Sequence, residues 1–194
     1  MIHGFDHAGQ LQTALEFLNG NGVVILPTDT SYAFACAMSN KAGIERMAQL
    51  KGIRMDKARF SIVCSDLSNL ATFSKPIPTP FFRLLKNHTP GAYTFLLHAS
   101  PLIPKIFLSR RTSIGLRVPN HALLRELVAL LGQPIAVTTV PMEDFSQDDL
   151  IANWEKKVDA IFLNESATHD QSTVVDLTGN TPIVVRQGKA PFDL

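Results

Sequence analysis

Short, almost uninterrupted apolar runs recur along this chain, and stretches of helical period separate them. Val23-Val24-Ile25-Leu26, Ile135–Thr139 and Val158–Leu163 are each bounded by glycine, proline or polar residues. A strand buried on both faces reads this way, because neither face has to meet water. Further strands are predicted at Ser31–Cys36, Phe60–Cys64, Tyr93–His98, Ile114–Val118, Thr173–Leu177 and Ile183–Arg186. Leu11, Leu15 and Leu18 mark a helix that Gly20-Asn21-Gly22 stops. Residues 40–51 mark a second, with Asn40 as cap and Ile44, Met47, Ala48 and Lys51 along one side. Residues 121–131 mark a third, capped by Asn120 and ended by Gly132. Asp66 is expected to cap a short helix, Phe81–Lys86 is helical in pattern, and 143–155 reads as an acidic helix. Pro76, Pro78 and Pro80 exclude regular structure around them. The alternation predicts one domain over residues 1–194, an open α/β or mixed α+β sheet covered by helices. Strand order cannot be read at this level.

Composition removes other classes. With 45% hydrophobic and 18% charged residues the chain is too apolar and too weakly charged for disorder. No apolar run approaches the ~20 residues of a membrane span, and the first ten residues lack a leader's pattern. No membrane association is expected, and the cytoplasm is the expected location. Cys36 and Cys64 belong to no CxxC or Cys/His cluster and read as buried, reduced thiols. The six histidines have no zinc-ligand spacing, so no metal site is expected.

The net charge of +1 hides a strong asymmetry: residues 1–40 carry −3, residues 41–125 carry +11, and residues 126–194 carry −7. A +11 block predicts a basic face or cleft for phosphates, on a nucleotide or a nucleic acid, unless its charges are simply dispersed in solvent. The acidic last third is a candidate gate over that cleft.

Three constellations have chemical content. Pro27-Thr28-Asp29-Thr30-Ser31-Tyr32 follows a buried strand, where hydroxyls either orient a small polar substrate or merely make a turn. Lys51-Gly52-Ile53-Arg54, with Lys57 and Arg59 nearby, sits between a helix and a strand. Such cations either hold a triphosphate or form a charged surface loop; no P-loop motif is present. Hydroxyl and Arg positions at strand ends make the third: Thr94, Arg117, Thr138, Thr139, Ser172 and Arg186. Arg117 lies inside an apolar strand and needs a partner or a cleft. No nucleophile–base pair is evident, so covalent catalysis is not favoured.

Taken in order, VVILPTDTSYAFAC, LKGIR, FSIVCSDLSNL, TPGAYTFLL, SIGLRVPNH, GQPIAVTT, STVVDLTG and VVRQG resemble the YrdC/YciO-like family over roughly residues 9–190, with wording nearest the YciO branch. That family includes the threonylcarbamoyl-adenylate synthases. The resemblance implies a twisted mixed sheet with helices around a large basic cavity. It implies ATP, L-threonine and bicarbonate as substrates, Mg2+ arriving with the ATP, and a product used to modify adenosine in tRNA. By the same resemblance Lys51 and Arg54 are the catalytic phosphate-gripping pair, although K-x-x-R is one residue longer than the family's K-x-R. Thr94, Thr139 and Arg186 are implied to contact ATP, and Thr30, Tyr32, Ser61, Arg117 and Ser172 to contact threonine. Where active synthases carry S-T-S-A-N, this chain reads Val137-Thr138-Thr139-Val140-Pro141, which loses side-chain and backbone hydrogen-bonding groups at the nucleotide. The alternative reading is a non-catalytic protein of the same fold that binds tRNA or double-stranded RNA. The expected assembly is a monomer or homodimer.

Overall fold

Local signals place most elements. In the computed structural model, which describes residues 1–7, 9–108, 111–142, 146–165 and 167–193, ten strands and seven α-helices are assigned. The chain runs β1 (Ile2–Gly4), α1 (Gly9–Asn19), β2 (Val24–Leu26), β3 (Ala33–Ala37), α2 (Lys41–Leu50), β4 (Ser61–Val63), α3 (Leu67–Thr72) and α4 (Thr79–His88). It continues through β5 (Tyr93–His98), α5 (Lys105–Leu108), β6 (Ser113–Arg117), α6 (Ala122–Leu131), β7 (Ile135–Thr139), α7 (Gln147–Trp154), β8 (Ala160–Leu163), β9 (Thr173–Asp176) and β10 (Ile183–Arg186).

Asn40 and Asp66 cap α2 and α3 as expected: their side-chain oxygens accept from Gly43 N at 2.9 Å and Asn69 N at 2.7 Å. Three expectations need correction. His121 caps α6, its Nδ1 accepting from Leu124 N at 3.3 Å, because the helix starts at Ala122; Asn120 lies one residue further out and gives its backbone N–H to Asp29 Oδ2 at 2.8 Å. Pro80 lies within the first turn of α4, where its missing N–H has no helical partner to lose. The strand β1 and helix α5 were not expected, since three or four residues carry no readable period. Residues 143–145 of the expected acidic helix lie outside the described residues; Ser146 caps the remainder, accepting from Asp149 N at 3.0 Å.

All ten strands join one sheet, in the order β1-β8-β2-β3-β7-β4-β6-β5-β9-β10. The pairs β1–β8, β8–β2, β4–β6 and β5–β9 are parallel and the rest antiparallel, as a mixed sheet requires. Successive side chains point to opposite faces. One face presents Phe34, Ile62, Phe95, Leu116 and Ala136 to Ile44 and Met47 of α2, Leu70 of α3, Phe81 and Leu85 of α4, and Leu150 and Trp154 of α7. The other presents Val24, Leu26, Ala33, Ala35 and Val137 to Leu11, Ala14 and Leu18 of α1 and Leu124, Leu127 and Val128 of α6.

On this second face the register then carries across to small and polar residues. Val137 pairs with Ser61, Ser61 with Gly115 and Gly115 with Leu96, while Thr94 pairs with Val174. Val137 lies at the edge between the two, and from Ser61 onward these positions border a cavity instead of a helix.

Candidate functional site

The cavity measures about 420 Å³, within the range of small-molecule sites. Lys51, Arg59, Arg111, Arg117 and Arg186 border it, and among the described residues no Asp or Glu does. Four of these five cations come from the basic block 41–125; Arg186 comes from the acidic third. The described ion pairs of that third tie Asp159 to Arg46 and Asp170 to Lys189, not to the cavity's cations.

The buried end is built by the turn after β2. Asp29 holds Arg117, whose Nη2 donates to Oδ1 at 2.6 Å with both side chains under a tenth exposed. Burial pulls the Arg117 guanidinium below its ordinary pKa, and the Asp29 charge opposes that shift. Arg117 Nε is buried and has no partner among the described residues. Thr28 donates its hydroxyl to Ser31 O at 2.8 Å, so in its 2.9 Å contact with Thr30 the Thr30 hydroxyl is the donor. Thr30 borders the cavity, and as the donor in this contact its hydroxyl keeps its acceptor lone pairs.

Across the sheet, Thr94 Oγ1 and Ser172 Oγ lie 2.8 Å apart. Arg186 donates to Ser172 O from Nε at 3.1 Å and Nη2 at 2.8 Å. A register shift between Val184 and Arg186 brings both Val185 and Arg186 to the cavity, where a regular strand would turn one away. Gly188 packs against the backbone of this wall: a Cβ there would sit 2.5 Å from the Ser172 carbonyl carbon. Burial and the nearby Arg117 charge both lower the Arg186 pKa.

The outer end is built by the loop after α2. Lys51 Nζ donates to Thr138 Oγ1 at 3.1 Å, and Thr138 in turn donates to Arg59 O at 3.4 Å. Burial lowers the Lys51 pKa. Gly52, at φ +64, then takes the chain through a left-handed turn. A second recess of about 270 Å³ adjoins here, sharing Ser31, Lys51 and Thr139 with the cavity and reaching Pro141.

Of the candidate residues, Thr30, Lys51, Ser61, Thr94, Arg117, Thr139, Ser172 and Arg186 come together around the cavity. Two do not. Arg54 points into solvent, 79% exposed, and pairs with Asp56 at 3.1 Å; after Gly52 the longer K-x-x-R spacing presents it on the outside of the turn. Tyr32 is buried in the core, its hydroxyl donating to Asn164 O at 2.8 Å, so it positions the 164 loop and does not border the cavity. Arg111, Ser113 and Gly115 border the cavity and were not anticipated. The i, i+2 spacing of Ser113, Gly115 and Arg117 is the signal that reveals one strand face; Arg111 lies in a loop and has none.

Fold and site together define a mixed α/β protein whose sheet, on its uncovered half, carries a cavity bordered by cationic and hydroxyl side chains. The chain belongs to the Sua5/YciO/YrdC family, whose model, described as "Telomere recombination", matches residues 16–188. The uncharacterized protein YciO of Escherichia coli K12 is 36% identical over 184 residues, which cover 92% of this chain and 88% of that protein. The crystal structure of E. coli YciO superposes with a TM-score of 0.85 at 33% identity, covering 97% of this chain and 93% of that one. The threonylcarbamoyl-AMP synthase of Pyrococcus abyssi is 24% identical over 189 residues, 95% of this chain and 55% of that protein. The crystal structure of P. abyssi Sua5 complexed with L-threonine shares the fold, with a TM-score of 0.87 at 23% identity, covering 97% of this chain and 57% of that one.

Proposed function

We propose that this chain, acting as one domain in the cytoplasm, forms L-threonylcarbamoyl-adenylate from L-threonine, bicarbonate and ATP, for tRNA modification. The observation that carries the reading is a cavity bordered, among the described residues, by five cations and no carboxylate, and flanked by the hydroxyls of Thr30, Ser61, Thr94 and Ser172. Family relatives that are threonylcarbamoyl-AMP synthases support it.

The reaction asks for positioning more than for acid–base groups. The threonine amine takes up CO2 derived from bicarbonate, giving an N-carboxylate and releasing a proton. That carboxylate attacks the α-phosphorus of ATP, and pyrophosphate leaves. In this reading the lone pairs of Thr30 receive the amine, and Arg117 Nε with Arg186 receives the amino-acid carboxylate. Lys51 and Arg59 face the phosphates, neutralising the charge that moves onto the leaving pyrophosphate. Among the described residues no group of three or more His, Cys, Asp or Glu side chains gathers into a metal cage, and no step here runs through a metal ion.

Incubation with ATP, threonine, bicarbonate and magnesium should yield threonylcarbamoyl-AMP and pyrophosphate together, with pyrophosphate absent when bicarbonate is withheld. Lys51→Ala should abolish both. Salt-sensitive binding of tRNA or duplex RNA, with no pyrophosphate under any condition, would replace this reading with the non-catalytic one.

A further inference from the structure

The cavity's charges fall into two sets. Arg117 is neutralised by Asp29. Among the described residues no carboxylate lies within ion-pair distance of Lys51, Arg59, Arg111 or Arg186. A single amino-acid carboxylate would leave most of that positive charge unanswered; a polyphosphate answers it.

We propose that in this chain the guanidinium that takes the outer end of such a polyanion is Arg111, and not Arg54. The proposal rests on the nucleotide reading above. Arg54 is occupied: Nε and Nη2 reach the two carboxylate oxygens of Asp56 at 3.1 and 3.2 Å, and the side chain faces bulk water. Arg111 borders the cavity, half-buried. Its Nη1 and Nη2 lie 3.4 Å from the carbonyls of Ala58 and Asp56. Those long contacts lean the guanidinium on the basic loop without neutralising it, and among the described residues three of its five N–H groups have no partner. The same loop carries Arg59, whose carbonyl accepts from Thr138, and Thr138 accepts from Lys51. Lys51, Arg59 and Arg111 are thus linked through the backbone of residues 58 and 59 and one threonine hydroxyl. A planar fork beside an ammonium suits a phosphate chain, which offers paired oxygens along its length.

The test is isothermal titration of the wild type, Arg111→Ala, Arg111→Lys and Arg54→Ala with ATP, with inorganic tripolyphosphate and with L-threonine at fixed ionic strength. Arg111→Ala should bind both ATP and tripolyphosphate about tenfold to a hundredfold more weakly, the loss expected of one charge-assisted contact. Arg111→Lys should fall between it and wild type, and Arg54→Ala should stay within about twofold of wild type. Threonine affinity should be unchanged in all three variants. The proposal is overturned if Arg54→Ala costs as much as Arg111→Ala, or if Arg111→Ala weakens threonine as much as tripolyphosphate, since the residue would then only hold the loop. Wild type that binds tripolyphosphate but not ATP removes the nucleotide reading and leaves the Arg111 assignment standing. Wild type that binds neither removes both.

Discussion

The half of the sheet made by β8, β2, β3 and β7, with Val63 at the end of β4, is packed on both faces, whereas the half that runs from Ser61 of β4 through β6, β5 and β9 is packed on one. In the first, Val24, Leu26, Ala35 and Val137 meet α1 and α6 while Ile25, Phe34 and Ala136 meet the core on the other side. In the second, Ile62, Leu116, Phe95 and Val175 remain buried, but their neighbours Ser61, Gly115, Thr94 and Val174 border a cavity. The same period-two strand thus makes core where both residue classes are apolar and makes a site where one class is small or polar. Residues of the covered half should control stability, and those of the open half should control ligand affinity.

Arg117 should be the exception and give the largest effect, because it belongs to both. Arg117→Met leaves Asp29 buried and unpaired, a loss of about 3–5 kcal/mol in urea unfolding. Adding Asp29→Asn should recover most of that stability without restoring binding. Recovery of binding in the double variant would dissolve the proposed role of the guanidinium.

Phe162→Ala and Ser61→Val draw the contrast directly. Phe162 is fully buried between His3, Phe5 and Phe17, so its truncation should cost about 3–5 kcal/mol. Affinity for threonine, measured on the folded fraction, should not change. Ser61→Val should shift stability by under about 1 kcal/mol, since it grows into open space, yet reduce ligand affinity. Equal stability losses in the two variants would erase the distinction between the halves.

The smallest effect is a pH dependence at the covered half. Burial lowers the His121 pKa, and its neutral Nδ1 caps α6. The unfolded chain therefore binds this proton more readily. The contribution of His121 is full above its unfolded value near 6.5 and is lost as pH falls through the lower folded value. His121→Asn, which caps without titrating, should flatten the unfolding midpoint as the pH falls below about 6.5. An identical pH profile in the variant would assign the acid sensitivity elsewhere.

Much of this was legible in advance, for a local reason. Strands such as Tyr93–His98, Ile135–Thr139 and Ile183–Arg186 agree with the expected bounds residue for residue, and Asn40 and Asp66 cap the helices they precede. The basic block did mark the cavity, and Arg117 did need a partner. Arg54 and Tyr32 stay away from the cavity, because where each side chain goes depends on direction. One extra residue after Lys51 turns a guanidinium outward, and a tyrosine beside a hydroxyl turn is taken up by a loop 132 residues away.

What the amino-acid order determined by itself is which segments are strands and helices, where the helices are capped, and which third of the chain is positively charged. Those properties come from neighbours within a turn or two, where hydrogen bonding and apolar spacing act. Only the tertiary structure decided that α1 and α6 cover half of one face and leave the other half open, and that Arg111 and Arg186 meet Lys51 there. Those meetings follow from strand order and from a bulge in β10, which answer to burial across the whole sheet and leave no local trace.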